Sequence, residues 1–185
     1  MEKYDINWLI KESANKNLDF IYFWGHSDRK NQGVGKFCLS QWYESEFLVG
    51  DVLYKTAEHW MMAQKALLFN DQISFNKAIN TDSAKDVKAV GRGVKNYDEK
   101  IWKENRSEIV VQGNIHKFVQ NPMLRDFLIK TGTKILVEAS PYDSIWGIGL
   151  SADDIKARDV NTWKGLNLLG FALMEVRDFL NSDTK

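Results

Sequence analysis

The sequence predicts a predominantly α-helical α+β fold, several helices with a small N-terminal β-sheet. Three observations point there. From Thr56 onward apolar residues recur with helical period, and helix-capping residues open the segments. The aromatic and β-branched runs that read as strands are short and fall mostly before Tyr54. The 185 residues, 44% of them hydrophobic, contain two prolines and no repeat or linker. That is the size of one domain able to bury a core without disulfide or metal staples.

Taken in order, Ile6, Leu9 and Ile10 give residues 4–16 an apolar face and predict a short helix. Leu18–Trp24 is rich in aromatic and β-branched residues and predicts a strand. Gly25–Gly35 is polar and reads as a turn or loop. Phe37–Ser40 and Phe47–Leu53 predict further extended stretches, with Gly50-Asp51 as a hairpin turn. Thr56 caps a helix to about Phe69, and helices follow at about 71–79, 83–90, 98–119 and 122–130. Pro122 opens the last of these, where its missing N–H costs nothing. Lys134–Glu138 is a short strand and 139–163 is irregular. A final amphipathic helix over 164–181 buries Leu166, Leu169, Leu173, Val176 and Leu180.

Twenty-five basic residues balance 25 acidic ones. A general polyanion binder needs excess positive charge, so zero net charge argues against one while allowing a small phosphate pocket. Cys38 is the sole cysteine, which excludes an internal disulfide and a cysteine-rich zinc site. A reducing, cytoplasmic setting is expected. The charged start Met1-Glu2-Lys3-Tyr4-Asp5 carries no secretory signal, and no apolar run reaches membrane-span length. His26, His59 and His116 lack metal-ligand spacing, so no metal and no cofactor are expected.

Three constellations can carry chemistry. On the helix from Thr56, Glu58, Met62, Lys65 and Phe69 share one stripe, with Glu58 and Lys65 about 10 Å apart along the axis. Trp60, Met61, Ala63, Ala66 and Leu67 make that helix apolar almost all round, which buries it and obliges its charges to find partners or a pocket. A solvated stripe or ordinary salt bridge is the competing reading. In Ser140–Gly149, Pro141 stiffens the chain, and Gly147 and Gly149 admit close approach of a ligand to the backbone. Asp143 and Trp146 project a carboxylate and an aromatic plate suited to a base or sugar; a capping Asp and a core Trp are the alternative. No third glycine follows at the dinucleotide-binding spacing, since residue 152 is Ala, and this excludes a Rossmann site. Between Lys85 and Arg106, seven basic residues face four acidic ones. There Gly91-Arg92-Gly93 could offer N–H groups and a guanidinium to phosphate, or the stretch is simply a solvated helical surface. Trp102 and Arg106 share a helix face.

Phe37-Cys38-Leu39-Ser40-Gln41-Trp42-Tyr43, Tyr54–Ala66, Gly91-Arg92, Trp102–Arg106, Ser140–Gly149 and Trp163–Gly170 stand in the order of a known family. Together they resemble the NADAR superfamily, with its YbiA-like N-glycosidases of riboflavin-biosynthesis intermediates, from about residue 20 to 180. The resemblance implies a single orthogonal multi-helix domain over 1–185, with residues 1–17 as a helical extension. It implies hydrolysis of the bond between ribose C1′ and a base nitrogen in phosphorylated ribosylaminopyrimidines. Glu58, Trp102 and Asp143 fall at the family's catalytic positions. Lys65 falls where relatives that remove ADP-ribose use a Schiff-base lysine. Arg92, Arg106 or Lys95 would hold a 5′-phosphate, with Trp146 and Gly147 lining the substrate. The alternatives are removal of ADP-ribose from guanine in nucleic acid or nucleotides, and a module that binds ADP-ribose without cleaving it. No membrane partner is implied.

Overall fold

The computed structural model describes residues 3–27 and 33–182; part of the polar Gly25–Gly35 segment lies outside them. Two compact units form, one from residues up to 40 together with those from 125 onward, the other from residues 41–124.

The first unit opens with α1 (Ile6–Asn15), capped by Asp5, whose carboxylate accepts from the Trp8 N–H. Strand β1 (Phe20–Phe23) pairs in parallel not with a neighbour in sequence but with β4 (Ile135–Glu138), Phe20 opposite Ile135 and Phe23 opposite Glu138. The strands therefore do not gather into one N-terminal sheet: β1 finds its partner more than a hundred residues away. Phe37–Ser40, expected to be extended, is instead a 3-10 turn over Lys36–Leu39. Cys38 and Leu39 are consecutive and both fully buried, whereas a strand would point them to opposite faces. A tight turn with Cys38 N–H on Gly35 O and Ser40 N–H on Phe37 O satisfies both.

Helix α7 (Leu168–Ser182) packs on β4 and begins four residues later than the apolar pattern predicts. Asn167, fully buried with φ +54°, stops the helix from starting earlier. Its Nδ2 donates to Leu136 O, its Oδ1 accepts from Glu138 N–H, and its own N–H donates to Gly147 O. One side chain thus ties β4, the 140–149 loop and α7 together. Leu166 falls outside the helix and is 42% exposed, contrary to expectation, while Leu169, Leu173, Val176 and Leu180 are buried as the period requires. At Gly170 the helix touches β4 so closely that an added Cβ would lie 2.1 Å from Leu136 O. Gly170→Ala is expected to destabilise by about 1–3 kcal/mol, because backbone cannot yield as a flexible side chain can. Thermal denaturation should show Tm lowered by roughly 2–12 °C.

The second unit holds a hairpin, β2 (Phe47–Val49) against β3 (Val52–Tyr54), with Gly50 at φ +58° in its turn. Then come α2 (Ala57–Leu68), α3 (Gln72–Asn80), α4 (Ala84–Arg92) and α5 (Glu99–Gln120). Thr56, Asp71, Ser83 and Asp98 cap these four helices in turn, each side chain accepting an N–H of the first turn. Helix α2 is the centre, packed against α3, α4 and α5. Trp60 anchors it: its Nε1–H donates to Ile109 O at 2.8 Å, and its ring meets Tyr54 edge-on. Leu67, at 40% exposure, is the exposed residue of a helix whose other positions are buried or half-buried. Helix α6 (Pro122–Lys130) begins at Pro122 and leads back to the first unit. No helix among the described residues is long and apolar enough to cross a membrane.

Candidate active site

Of the candidate residues, Glu58, Lys65, Arg92, Trp102 and Arg106 lie in the second unit and Asp143, Trp146 and Gly147 in the first, and each group is described by itself.

Glu58 stands in the first turn of α2 and is 2% exposed. Two groups satisfy the exposed amides of that turn: Gln41 O accepts the Glu58 N–H at 3.0 Å, and Thr56 Oγ1 accepts the His59 N–H. A helix N-terminus favours negative charge, which suits a carboxylate there. Gln41 is itself buried. Its Nε2 donates to Asn114 Oδ1 at 3.2 Å, while its Oε1 makes no hydrogen bond among the described residues. His59 is a structural neighbour. Its Nε2 meets Thr81 O, which can only accept, so the proton sits on Nε2 and Nδ1 takes the Thr56 hydroxyl. Burial pushes its pKa down and keeps it neutral.

Two turns along α2, Lys65 is half-buried, and its Nζ donates to Gly91 O at 2.8 Å. It lies 4.4 Å from the Tyr97 ring centroid and 5.4 Å from that of Trp102. Lys65 has a carbonyl and two rings about it and makes no ion pair among the described residues. Burial lowers its pKa from the ordinary lysine value. Trp102 is 9% exposed and walls the amine. On the same stripe of α5, one turn on, Arg106 has a buried Nε with no hydrogen-bond partner among the described residues.

Gly91-Arg92-Gly93 does not form the expected anion nest. Gly91 and Arg92 are helical, the Gly93 N–H donates to Val90 O, and the end of α4 presents carbonyls, the polarity that suits an ammonium. An added Cβ at Gly91 would lie 1.8 Å from Met62 Sδ, so the glycine is what lets α4 approach α2. The Arg92 side chain is exposed.

Tyr97 is a site neighbour that pattern reading passed over. Asp71 sets its position. The Asp71 carboxylate accepts from the Lys95 N–H at 2.9 Å and from the Ser74 hydroxyl and N–H. The Lys95 N–H leads the interactions that hold its pKa down to about 2. Asn96 then turns the chain at φ +55°, Tyr97 follows, and Asp98 caps the helix that carries Trp102. An aromatic between a turn-forming Asn and a capping Asp was the available signal.

In the first unit, Asp143 shapes its own loop. Its Oδ1 accepts from the N–H groups of Ile145 and Trp146, both at 2.8 Å, and its carbonyl accepts from the Gly149 N–H. This is the capping role that competed with the catalytic one, and it leaves Oδ2 without a hydrogen bond among the described residues. Trp146 is half-buried. Gly147 is buried where an added Cβ would lie 2.8 Å from Glu138 O. Its glycine identity therefore meets a packing need.

Acid and amine thus stand on one helix, Glu58 buried and Lys65 half-buried. The NADAR domain family matches residues 22–181. An N-glycosidase of Acanthamoeba polyphaga mimivirus is 43% identical over 164 residues, covering 86% of this chain and 95% of its own. A riboflavin biosynthesis protein of Vibrio vulnificus is 28% identical over 96% of this chain and 41% of its own. The NMR structure of the Escherichia coli protein YbiA superposes with a TM-score of 0.72 at 25% identity, over 90% of this chain and 87% of that one. The chain belongs to the NADAR family of N-glycosidases, hydrolases of N-glycosyl bonds, and shares the YbiA fold.

Proposed function

We propose that this protein hydrolyses the bond between ribose C1′ and a base nitrogen in phosphorylated ribosylaminopyrimidines. The observation that carries the reading is the α2 stripe, where Glu58 is buried and Lys65 is half-buried with its pKa lowered. The family membership and the riboflavin-biosynthesis name of one relative support the substrate class.

As the C1′–N bond breaks, positive charge grows on C1′ and the ring oxygen, and the departing nitrogen takes a proton. Glu58 supplies negative charge or moves that proton, with Asp143 as the second acid by family position. Lys65, once neutral, can add its nitrogen to C1′. The base leaves with the bonding pair and a proton, the sugar ring opens to an imine, and water releases the sugar and restores the amine. The Arg106 guanidinium takes the 5′-phosphate.

The test is incubation of the protein with phosphorylated ribosylaminopyrimidines, following release of ribose 5-phosphate and free base. Stoichiometric release of both is expected. Absence of turnover by folded protein removes the reading.

A further inference from the structure

Lys65 and Phe69 stand one turn apart at the end of α2 and share a face. The loop between α4 and α5 brings Tyr97 against both, all within the second unit. The Lys65 Nζ lies over the Tyr97 ring, 4.4 Å from its centroid. That is well inside the roughly 6 Å within which an aromatic face attracts a cation. Phe69, itself buried, backs the same ring edge-on, with centroids 5.3 Å apart and planes at 63°. Trp102 stands farther from the amine, at 5.4 Å.

Burial alone does not keep Tyr97 there, since it is 46% exposed. A run of backbone bonds does. The Asp71 N–H donates to Ala66 O at 2.8 Å, next to Lys65 on α2. The Asp71 carboxylate takes the Lys95 N–H, Asn96 turns the chain at φ +55°, and Asp98, directly after Tyr97, caps α5 through the Ile101 N–H. The ring is thus pinned on both sides in sequence and set face-on to a half-buried amine. The charged groups brought toward this end of α2 are Asp71 at the cap of α3, Arg92 at the end of α4, Lys95 on the loop and Arg106 on α5; β3 carries none. None of them causes the lowering of the Lys65 pKa, which comes from burial.

We propose that Tyr97 is a positioning residue for Lys65: its ring face seats the ammonium against Gly91 O and holds the amine in one place until it gives up its proton. The consequence for the rate rests on the N-glycosidase reading. The ring attracts only the protonated form, so it opposes burial: it raises the Lys65 pKa where desolvation lowers it. Tyr97 thereby sets the pH at which the amine is released to react. Removing the charge distribution of the ring while keeping its bulk should lower the pH at which Lys65 loses its proton by about 0.4–1.5 units.

The experiment follows the titration of Lys65 by NMR of isotope-labelled lysine Cε, the resonance being assigned by its loss in Lys65→Met. Wild-type protein is compared with Y97F, Y97L and protein carrying a trifluorinated phenylalanine at residue 97. Y97F keeps the ring face and should titrate like the wild type. Y97L and the fluorinated protein should titrate about 0.4–1.5 pH units lower. A midpoint that fluorination leaves unmoved, or that rises in Y97L toward the ordinary lysine value, overturns the proposal, because the ring then only shields the amine from water. The fluorinated protein against Y97F decides the matter if Y97L fails to fold, since two rings of nearly one size pack alike. The pH–rate profile for cleavage of ribosylaminopyrimidine phosphates is recorded on the same proteins, and its midpoint should move with the titration. Ring-dependent titration without cleavage overturns the N-glycosidase reading alone, and cleavage with a ring-independent titration overturns the role of Tyr97 alone.

Discussion

Glu58→Gln is expected to lower the rate of N-glycosyl hydrolysis by about 10²–10⁴-fold, the range that removal of an acid–base group costs. The substitution keeps the shape of the side chain and its place in the first turn of α2, where Gln41 O holds the backbone N–H. What it removes is a carboxylate and its ability to exchange a proton, at a position only 2% exposed to water. Substrate affinity should change far less than kcat, since positive charge at C1′ develops mainly in the transition state. Steady-state assays give kcat and KM separately, and circular dichroism verifies the fold. A variant with wild-type kcat removes Glu58 from the chemistry.

The α2 stripe was legible because its signals are local. Thr56 caps, Glu58 and Lys65 fall on one face, and the apolar residues around them predict burial. Burial then makes the charges consequential, and the structure bears this out at Glu58. The other helices of residues 41–124 were legible for the same reason: each begins on its own capping residue, so a reader needs only a few neighbouring positions. The hairpin at Gly50-Asp51 was equally local.

What escaped depends on contacts between distant residues. Nothing in Leu18–Trp24 names Ile135–Glu138 as its partner, so one N-terminal sheet was expected where two small ones form. The start of α7 is set by the bonds of Asn167 to β4 and to Gly147, not by the apolar period, which runs on through Leu166 without interruption. Phe37–Leu39 has strand-like composition, yet burying Cys38 and Leu39 side by side requires a turn. The same limit applies to the site. Composition marked Gly91-Arg92-Gly93 as a place for phosphate, but the helical state of the segment reverses its polarity and gives its carbonyl to Lys65. Tyr97 joins Lys65 only because Asp71, more than twenty residues earlier, fixes the loop that carries it.

Lys65→Met should lower kcat by at least about 100-fold, the lower end of what loss of a reacting group costs, and should abolish covalent capture of the sugar. Methionine matches the unbranched stem and can pack against Tyr97 and Trp102, so the change isolates the amine. In the wild type, borohydride added during turnover should reduce the imine and leave a ribityl phosphate on the peptide containing Lys65, detectable by mass. The pH dependence carries a sign that tests the same step. In the proposed step only the neutral amine can attack C1′, and in the structure Lys65 Nζ donates to Gly91 O beside the Tyr97 and Trp102 rings. Burial lowers the Lys65 pKa below the usual 10.5, so the neutral fraction grows at lower pH than for an exposed lysine. The rate should therefore rise with pH through a midpoint below the ordinary lysine range, and that rise should vanish in Lys65→Met. Full activity in the variant, with no trapped sugar in the wild type, would leave hydrolysis to the carboxylates and reduce Lys65 to a packed cation.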